Sequence, residues 1–390
     1  MLSILLFQLQ PLKMLRKGLS SLALLFLSLS AFGQILIEDG EWHRVEFTGA
    51  FQDFKLSSER ISNYPYLQFR VVGADGMARD FSGTGGNQYP GGQGAMNTLS
   101  VRVNPYYGHS DFFTSDQTFR FIVGGTGVPN GGGGGGGSAV LVYTGETAND
   151  ANTSILVASG GGGGGGGGDV AGHSVIEGTG VAGSIGEAGT WGYRAENGFV
   201  SRNTEIFNHP GPVGQGARNR TSSLLNKPGG NGGGAFSRGE PFTFRNCSQN
   251  CVRENSGEIG MLAGGRGGID GTEGAGGGYG FGGGGNGLFR EGGGGGGGYS
   301  GGAQGGQGGG GGGGSFVSNA SEVFSLFTEQ TAFGTTMESQ NGYIEYRFID
   351  YAPIARCRDI FIDLDQYTFW GTSLRQCSIM DRLPPTNPSA

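Results

Sequence analysis

An all-β fold of the sandwich class is what this sequence predicts, and three observations predict it. Apolar residues recur with the two-residue period of half-buried strands. Amphipathic helical periodicity is nearly absent. The chain also carries 26 Phe, 13 Tyr and 3 Trp beside 88 Gly in 390 residues. Disordered low-complexity chains are poor in aromatics, so this one has the material for a core.

The strands follow in order. Trp42–Phe47 (WHRVEF) alternates, and YLQFRVVG puts Leu67, Phe69 and Val71 on one face with Gln68 and Arg70 opposite. Leu99–Val103 repeats the pattern, and TFRFIVGG collects Phe119, Phe121 and Val123. Ser138–Thr144 (SAVLVYT) and Ser154–Ser159 (SILVAS) are apolar on both faces, which predicts deeper burial. Gly342–Phe348 (GYIEYRF) completes the set. Several short strands with alternating faces are the pattern of a sandwich.

Between them lie unbroken glycine runs: Gly131–Gly137, Gly160–Gly168, Gly292–Gly298 and Gly308–Gly314. A flexible linker mixes glycine with serine and joins separate units. These runs contain no serine, and each adjoins a strand or an aromatic. No glycine-every-third-residue pattern appears and proline is sparse, which excludes collagen. The expectation is extended polyglycine packed sideways. A three-residue extended helix has no internal hydrogen bonds, so its backbone groups must bond to neighbours. Any side chain between such neighbours would hold them apart. Tyr279, Phe281, Tyr299 and Phe316 border the glycines and are expected to anchor them to the sandwich.

The order FRFIVGGTG, GGGGGGGSAVLVY, SILVASGGGGGGGGG, GGGYGFGGGGNGLFREGGGGGGGYSGG and GGGGGGGSFVSN resembles the glycine-rich extracellular domain of anaplastic lymphoma kinase and leukocyte tyrosine kinase. Similar domains occur in other secreted and bacterial surface proteins. The resemblance covers roughly Leu67 to Phe348 and implies a tumour-necrosis-factor-like β-sandwich with inserted, packed polyglycine helices. The resemblance does not extend to a transmembrane helix or a kinase domain within these residues, and Asn286–Glu291 lacks the cysteine that the receptors tend to carry there. The scaffold therefore transfers better than the receptor function. Ala352–Asp365 is similar to the start of a hyalin-type repeat, so 351–390 is read as a C-terminal segment with a truncated β-repeat.

The N-terminus predicts export. Lys13, Arg16 and Lys17 precede the apolar Leu19–Leu29, and Ala31-Phe32-Gly33 supplies small residues before a cut. Residues 1–33 are read as a signal peptide whose start is Met14, and 34–350 as the sandwich with its glycine-rich part. No later segment approaches a membrane span. The chain is acidic, with a net charge of −7. Residues 1–33 hold three of the 25 Lys/Arg and none of the 32 Asp/Glu, so the mature chain is at −10. That argues against nucleic acid or anionic lipid as a partner. Cys247, Cys251, Cys357 and Cys377 predict disulfides in an oxidising compartment, the nearest pairs in sequence being Cys247–Cys251 and Cys357–Cys377. The CSQNC spacing is also that of half a zinc site, but no second Cys/His pair follows at finger spacing.

Catalytic chemistry finds little to stand on. Gly298-Tyr299-Ser300-Gly301-Gly302 matches G-x-S-x-G, but nothing helical follows to form the nucleophile elbow. The histidines at 43, 109, 173 and 209 are scattered, and Asp359, Asp363 and Asp365 read as a solvated strand face. No cofactor or metal is implied, and no enzyme is expected. Sequons stand at Asn152, Asn219, Asn246 and Asn319.

A glycine lattice has no side chains with which to discriminate a ligand. Contacts with a protein or glycan partner are therefore expected in the long segment Trp191–Phe244. The candidates are Trp191, Tyr193, Arg194, Arg202, Phe207, His209, Arg218, Arg220 and Arg238. The expected function is a secreted or surface-attached, non-enzymatic binding or adhesion protein. The alternative is a structural component of an extracellular matrix or cell wall.

Overall fold

In the computed structural model the alternating runs form two five-stranded antiparallel sheets. Their strands are β1 (His43–Glu46), β2 (Gln52–Lys55), β3 (Tyr66–Val72), β4 (Met96–Arg102), β5 (Gln117–Ile122), β6 (Ser138–Thr144), β7 (Thr153–Ser159), β8 (Phe316–Val317), β9 (Val323–Phe327) and β10 (Tyr343–Ile349). One sheet has the order β1-β10-β3-β4-β9 and the other β8-β7-β6-β5-β2. The described residues are 41–64, 66–80, 88–103, 113–129, 131–166, 179–196, 199–202, 208–219, 229–241, 256–269, 276–287, 292–306, 308–319, 323–327, 335–349, 354–359 and 375–380. The chain divides into two units, Met1–Glu41 and Trp42–Ala390, and the described residues apart from Glu41 belong to the second. The signal expected over 1–33 lies outside the described residues.

The fold is nearly all β. The helix among the described residues, α1 (Ser58–Asn63), is short and capped by Ser57, whose Oγ accepts from Arg60 N. Among the described residues no helix is long and apolar enough to cross a membrane.

The register of each strand sorts its side chains as the alternation predicts. Leu67, Phe69 and Val71 of β3 pair across to Val101, Leu99 and Asn97 of β4 and to Phe348, Tyr346 and Ile344 of β10. These apolar side chains are buried and meet those of the other sheet. Phe69 lies 5.6 Å from Phe119 and 6.0 Å from Phe121 between ring centroids, and Tyr346 lies 5.1 Å from Phe54 and 5.8 Å from Phe121. Offset and edge-on ring pairs of this kind add to plain area burial. On the opposite face of β3 and β10, Arg70 and Arg347 both lie over the Trp42 ring, at 4.7 and 4.5 Å, and Arg70 also pairs with Glu345 at 2.8 Å.

The second sheet is buried on both faces, as the unalternating SAVLVYT and SILVAS predicted. Ile122, Ala139, Leu141 and Ala158 point away from the first sheet and pack with Ala235, Phe281 and Tyr299 from the glycine-rich segments. Tyr279 and Phe316 border that cluster, so the interrupting aromatics anchor the glycines to the sheet. Ser138 and Ser159 stand where β6 and β7 meet their glycine runs. Ser138 Oγ donates to Val72 O and Ser159 Oγ to Val71 O, tying both junctions to β3.

The described glycines of these runs lie outside helix and strand, yet apart from the half-buried Gly131 they are buried, and most are bonded. Consecutive N–H groups point to different neighbours, and the pattern returns every third residue. Gly161 and Gly164 donate to Gly297 and Gly294, while Gly162 and Gly165 donate to Ala74 and Met77. Gly163 donates to Val181. The carbonyls of Gly160 and Gly163 accept from Ala95 and Gly92, those of Gly161 and Gly164 from Gly313 and Gly310, and that of Gly162 from Gly135. Segment 160–166 is thus surrounded by six others. A second segment repeats the rule: Gly293 and Gly296 donate to 308 and 311, Gly294 and Gly297 to 132 and 135, and Gly295 and Gly298 to 230 and 233.

The spacing explains the composition. A Cβ on Gly162 would stand 1.8 Å from Gly92 O, on Gly163 2.1 Å from Gly310 O, and on Gly164 1.9 Å from Gly132 O. Real Cβ atoms essentially never come within 3.0 Å of another heavy atom. Glycine is therefore required in all three directions at the centre. Bordering segments need it only where they face inward. In residues 73–78, Gly73 and Gly76 meet the carbonyls of Gly160 and Gly163, while Ala74, Asp75, Met77 and Ala78 carry side chains.

Candidate functional site

The segment Trp191–Phe244 shows no strand alternation in the sequence, yet parts of it are ordered. It is not a free excursion without strand character, because several of its stretches are built into the glycine-rich layer. Two short antiparallel ribbons occur in it, Tyr193–Glu196 with Phe199–Arg202 and Asn208–His209 with Arg218–Asn219. The alternation of such short pairs is too brief to show in the sequence. Residues 211–217 and 229–240 join the layer through backbone bonds: Gly211 N donates to Gly301 O, Gly301 N to Gln215 O, and Ala217 N to Gly232 O.

These bonds bring Trp191 and His209 together from positions eighteen residues apart. Thr190 N donates to Gly312 O and Thr190 O accepts from Ala303 N, which pins the chain just before Trp191 to segments 301–303 and 308–314. Gly211, two residues after His209, is bonded to Gly301 of the same stretch. The two rings lie 4.9 Å apart at 58°. The ribbon register sets Arg218 opposite His209, and the other ribbon sets Arg202 opposite Tyr193, with Arg194 next along the strand. Arg238 is exposed on a parallel stretch, where its carbonyl would stand 2.3 Å from a Cβ on Gly216. Phe207 and Arg220 lie outside the described residues. Trp191, His209 and Arg218 are therefore brought together, and Arg238 borders them.

Gly214 and Phe236, which the sequence did not single out, complete this rim together with Tyr299. Phe236 N donates to Gly214 O at 2.9 Å, and the Phe236 ring stands edge-on to Tyr299 at 6.1 Å and 80°. Gly214 has φ +76°, and a Cβ there would lie 2.6 Å from the Phe236 ring. Tyr299 stacks on Phe316 of β8 at 4.6 Å, and burial, with Glu187 nearby, pushes its phenol above the ordinary range. A positive-φ glycine beside an exposed aromatic is a signal in principle, but among 88 glycines it does not stand out.

The other groups with chemical potential are engaged structurally. Ser300 of the G-x-S-x-G match is fully buried, and its Oγ accepts from Gly214 N at 2.9 Å. Arg120 forms a fork with Asp53 at 2.8 and 2.9 Å, donates to Leu262 O at 2.8 Å, and lies 3.7 Å from the Phe51 ring centroid. This ties the edge of the second sheet to residues 256–269. His43 stacks against Tyr346 at 5.6 Å, and His109 and His173 lie outside the described residues. Asp75 accepts from Gly94 N and Gln340 N at 3.0 Å each, yet burial outweighs these bonds and raises its pKa.

Of the four cysteines, Cys357 and Cys377 occupy facing positions on the antiparallel pair Ile354–Asp359 and Arg375–Met380. Cys247 and Cys251 lie outside the described residues, as do Asp363 and Asp365.

Comparison with protein-family profiles gives no match for this chain, and comparison with curated proteins gives none either.

Proposed function

We propose that this chain is an exported, non-enzymatic binding or adhesion protein in which packed polyglycine helices hold a recognition rim rigid. The two sheets are read as a tumour-necrosis-factor-like sandwich, and the glycine segments as three-residue extended helices in a lateral array. Support for the array is the every-third-residue bonding of 160–166 and 292–298. That period matches three residues per turn, with the N–H and C=O groups of 161–164 all bonding outward. The order of its strands and runs resembles the glycine-rich domain of the anaplastic lymphoma kinase type, and export rests on the signal pattern of 1–33.

One observation carries the functional reading. The residues of the array's rim are not scattered: the Trp191 and His209 rings meet although separate stretches supply them, and Arg218 stands opposite His209 in register. Aromatic rings and arginines are the residues over-represented in binding hot spots. The array itself, nearly free of side chains, favours a second reading as a structural matrix component. Probing the secreted chain against immobilised extracellular proteins and glycans separates the two. Saturable binding to a defined partner supports recognition. A folded chain that binds none of them and sediments with the insoluble wall or matrix fraction overturns it.

A further inference from the structure

The rim consists of two stretches lying side by side. Gly216 N donates to Ser237 Oγ at 2.9 Å, Phe236 N to Gly214 O at 2.9 Å, and Glu240 N to Ala217 O at 2.8 Å. Along this pair Val213 is 54% exposed and Phe236 49% exposed, with Arg218 and Arg238 exposed beside them. Neither arginine makes an ion pair among the described residues. The chain is acidic overall at −7, yet residues 191–241 hold six Lys/Arg against three Asp/Glu. Glu240 is the carboxylate that the ladder places on this strip. Phe236 is held in place by Gly214 and Tyr299, so little ordering remains to be done on binding.

We infer that this rim docks a protein partner that presents an acidic segment with an aromatic or aliphatic residue beside its carboxylates. The inference deepens the binding-protein reading and rests on it. Arginine forks recognise carboxylates in bidentate geometry, and Phe236 with Val213 offers an apolar seat further along the same strip. Charge complementarity selects an anionic partner from outside a chain whose remaining surface is acidic. An anionic glycan would satisfy the arginines but leave Val213 and Phe236 against water. The combination of aromatic, arginine and aliphatic residues is that of a protein interface.

The test uses the full chain and a fluorescein-labelled random copolymer of glutamate and tyrosine, followed by anisotropy at 0.15 M salt. Polyglutamate of matched length and heparin serve as competitors. The copolymer is expected to bind roughly tenfold more tightly than polyglutamate, and the Arg218→Ala/Arg238→Ala double variant to lose about tenfold, as truncated hot spots do. Phe236→Ala is expected to erase the preference for the copolymer over polyglutamate. Both arginines are exposed, and among the described residues neither makes an ion pair, so the double variant should melt with the parent, which separates lost binding from lost fold. Unchanged binding by the double variant, no detectable binding of the copolymer, or heparin displacing it better than polyglutamate overturns the inference. A partner recovered from the protein and glycan screen and still bound by the double variant would sink this inference while leaving the binding-protein reading intact.

Discussion

Replacing Gly164 by alanine puts a methyl group where the structure has none to give. The new Cβ would stand 1.9 Å from Gly132 O, 2.4 Å from Gly132 C and 2.8 Å from Gly133 C. All three are backbone atoms of a neighbouring run, so no side chain can swing aside. Restoring an ordinary contact of 3.4 Å requires the two segments to part by roughly 1.5 Å, an overpacking error of the kind that costs about 1–3 kcal/mol. The separation also strains bonds that meet there: Gly164 N to Gly294 O at 2.8 Å, Gly310 N to Gly164 O at 2.9 Å, and Gly294 N to Gly132 O at 2.9 Å. Each buried group left unpaired adds about 1–3 kcal/mol. Losing one or two brings the expected cost to roughly 3–6 kcal/mol, against an offset of about 0.4–1 kcal/mol from the stiffer unfolded chain. With average unfolding entropy over a domain of this size, the melting temperature should fall by roughly 4–8 °C. The control is Gly186→Ala. Gly186 is exposed, and the nearest contact of a Cβ there is Ser184 Oγ at 3.4 Å, so its effect should stay within about 0.5 kcal/mol. Urea unfolding and thermal melts of both variants decide the matter. A Gly164→Ala chain that melts with the control would refute the packed array.

Three further predictions follow from particular residues. Phe281→Ala should cost about 3–5 kcal/mol in urea unfolding, because the ring is fully buried between the glycine layer and the second sheet; a loss under about 1 kcal/mol would mean that the layer does not depend on this anchor. Cys357 and Cys377, opposite in register, should be recovered as one disulfide-linked peptide pair by mass spectrometry without reduction, a link worth about 3 kcal/mol if formed; free thiols in exported material would refute it. Asp75 binds its proton more tightly in the folded state, so its contribution to stability falls as pH rises from the ordinary 3.8 through the raised folded value. The stability advantage of the parent over Asp75→Asn should therefore shrink between pH 4 and pH 7, and a constant or growing advantage in urea melts would contradict the assignment.

Much of the sheet architecture was legible because period two is a local property. Leu67, Phe69 and Val71 announce their face without any knowledge of what lies opposite, and SAVLVYT announces burial on both sides by lacking a polar phase. The need for glycine was legible too, since runs free of serine imply neighbours on every side. What stayed hidden was which neighbours. Segments 73–78, 179–184 and 229–234 take part in the layer, but only some of their residues face inward, so they read as ordinary loops. The helix at Ser58–Asn63 is a single capped stretch too short to show a period.

The rim shows the division most clearly. The side chains available at the rim, Trp191, His209, Arg218 and Arg238 among them, were legible because the glycine runs carry none. Their meeting was not evident. His209 reaches Trp191 because Thr190 and Gly211 each bond to the backbone of 301–312, about a hundred residues further along the chain. Phe236 is held beside them by Gly214 and Tyr299, whose separations in sequence carry no period at all. Chain composition and alternation thus determined the strand faces, the need for glycine and the chemistry available at the rim. Only the tertiary structure decided which backbones lie side by side, because identical glycine runs carry no side chains to encode their order; the strands, the serine junctions and the anchoring aromatics at their ends impose it.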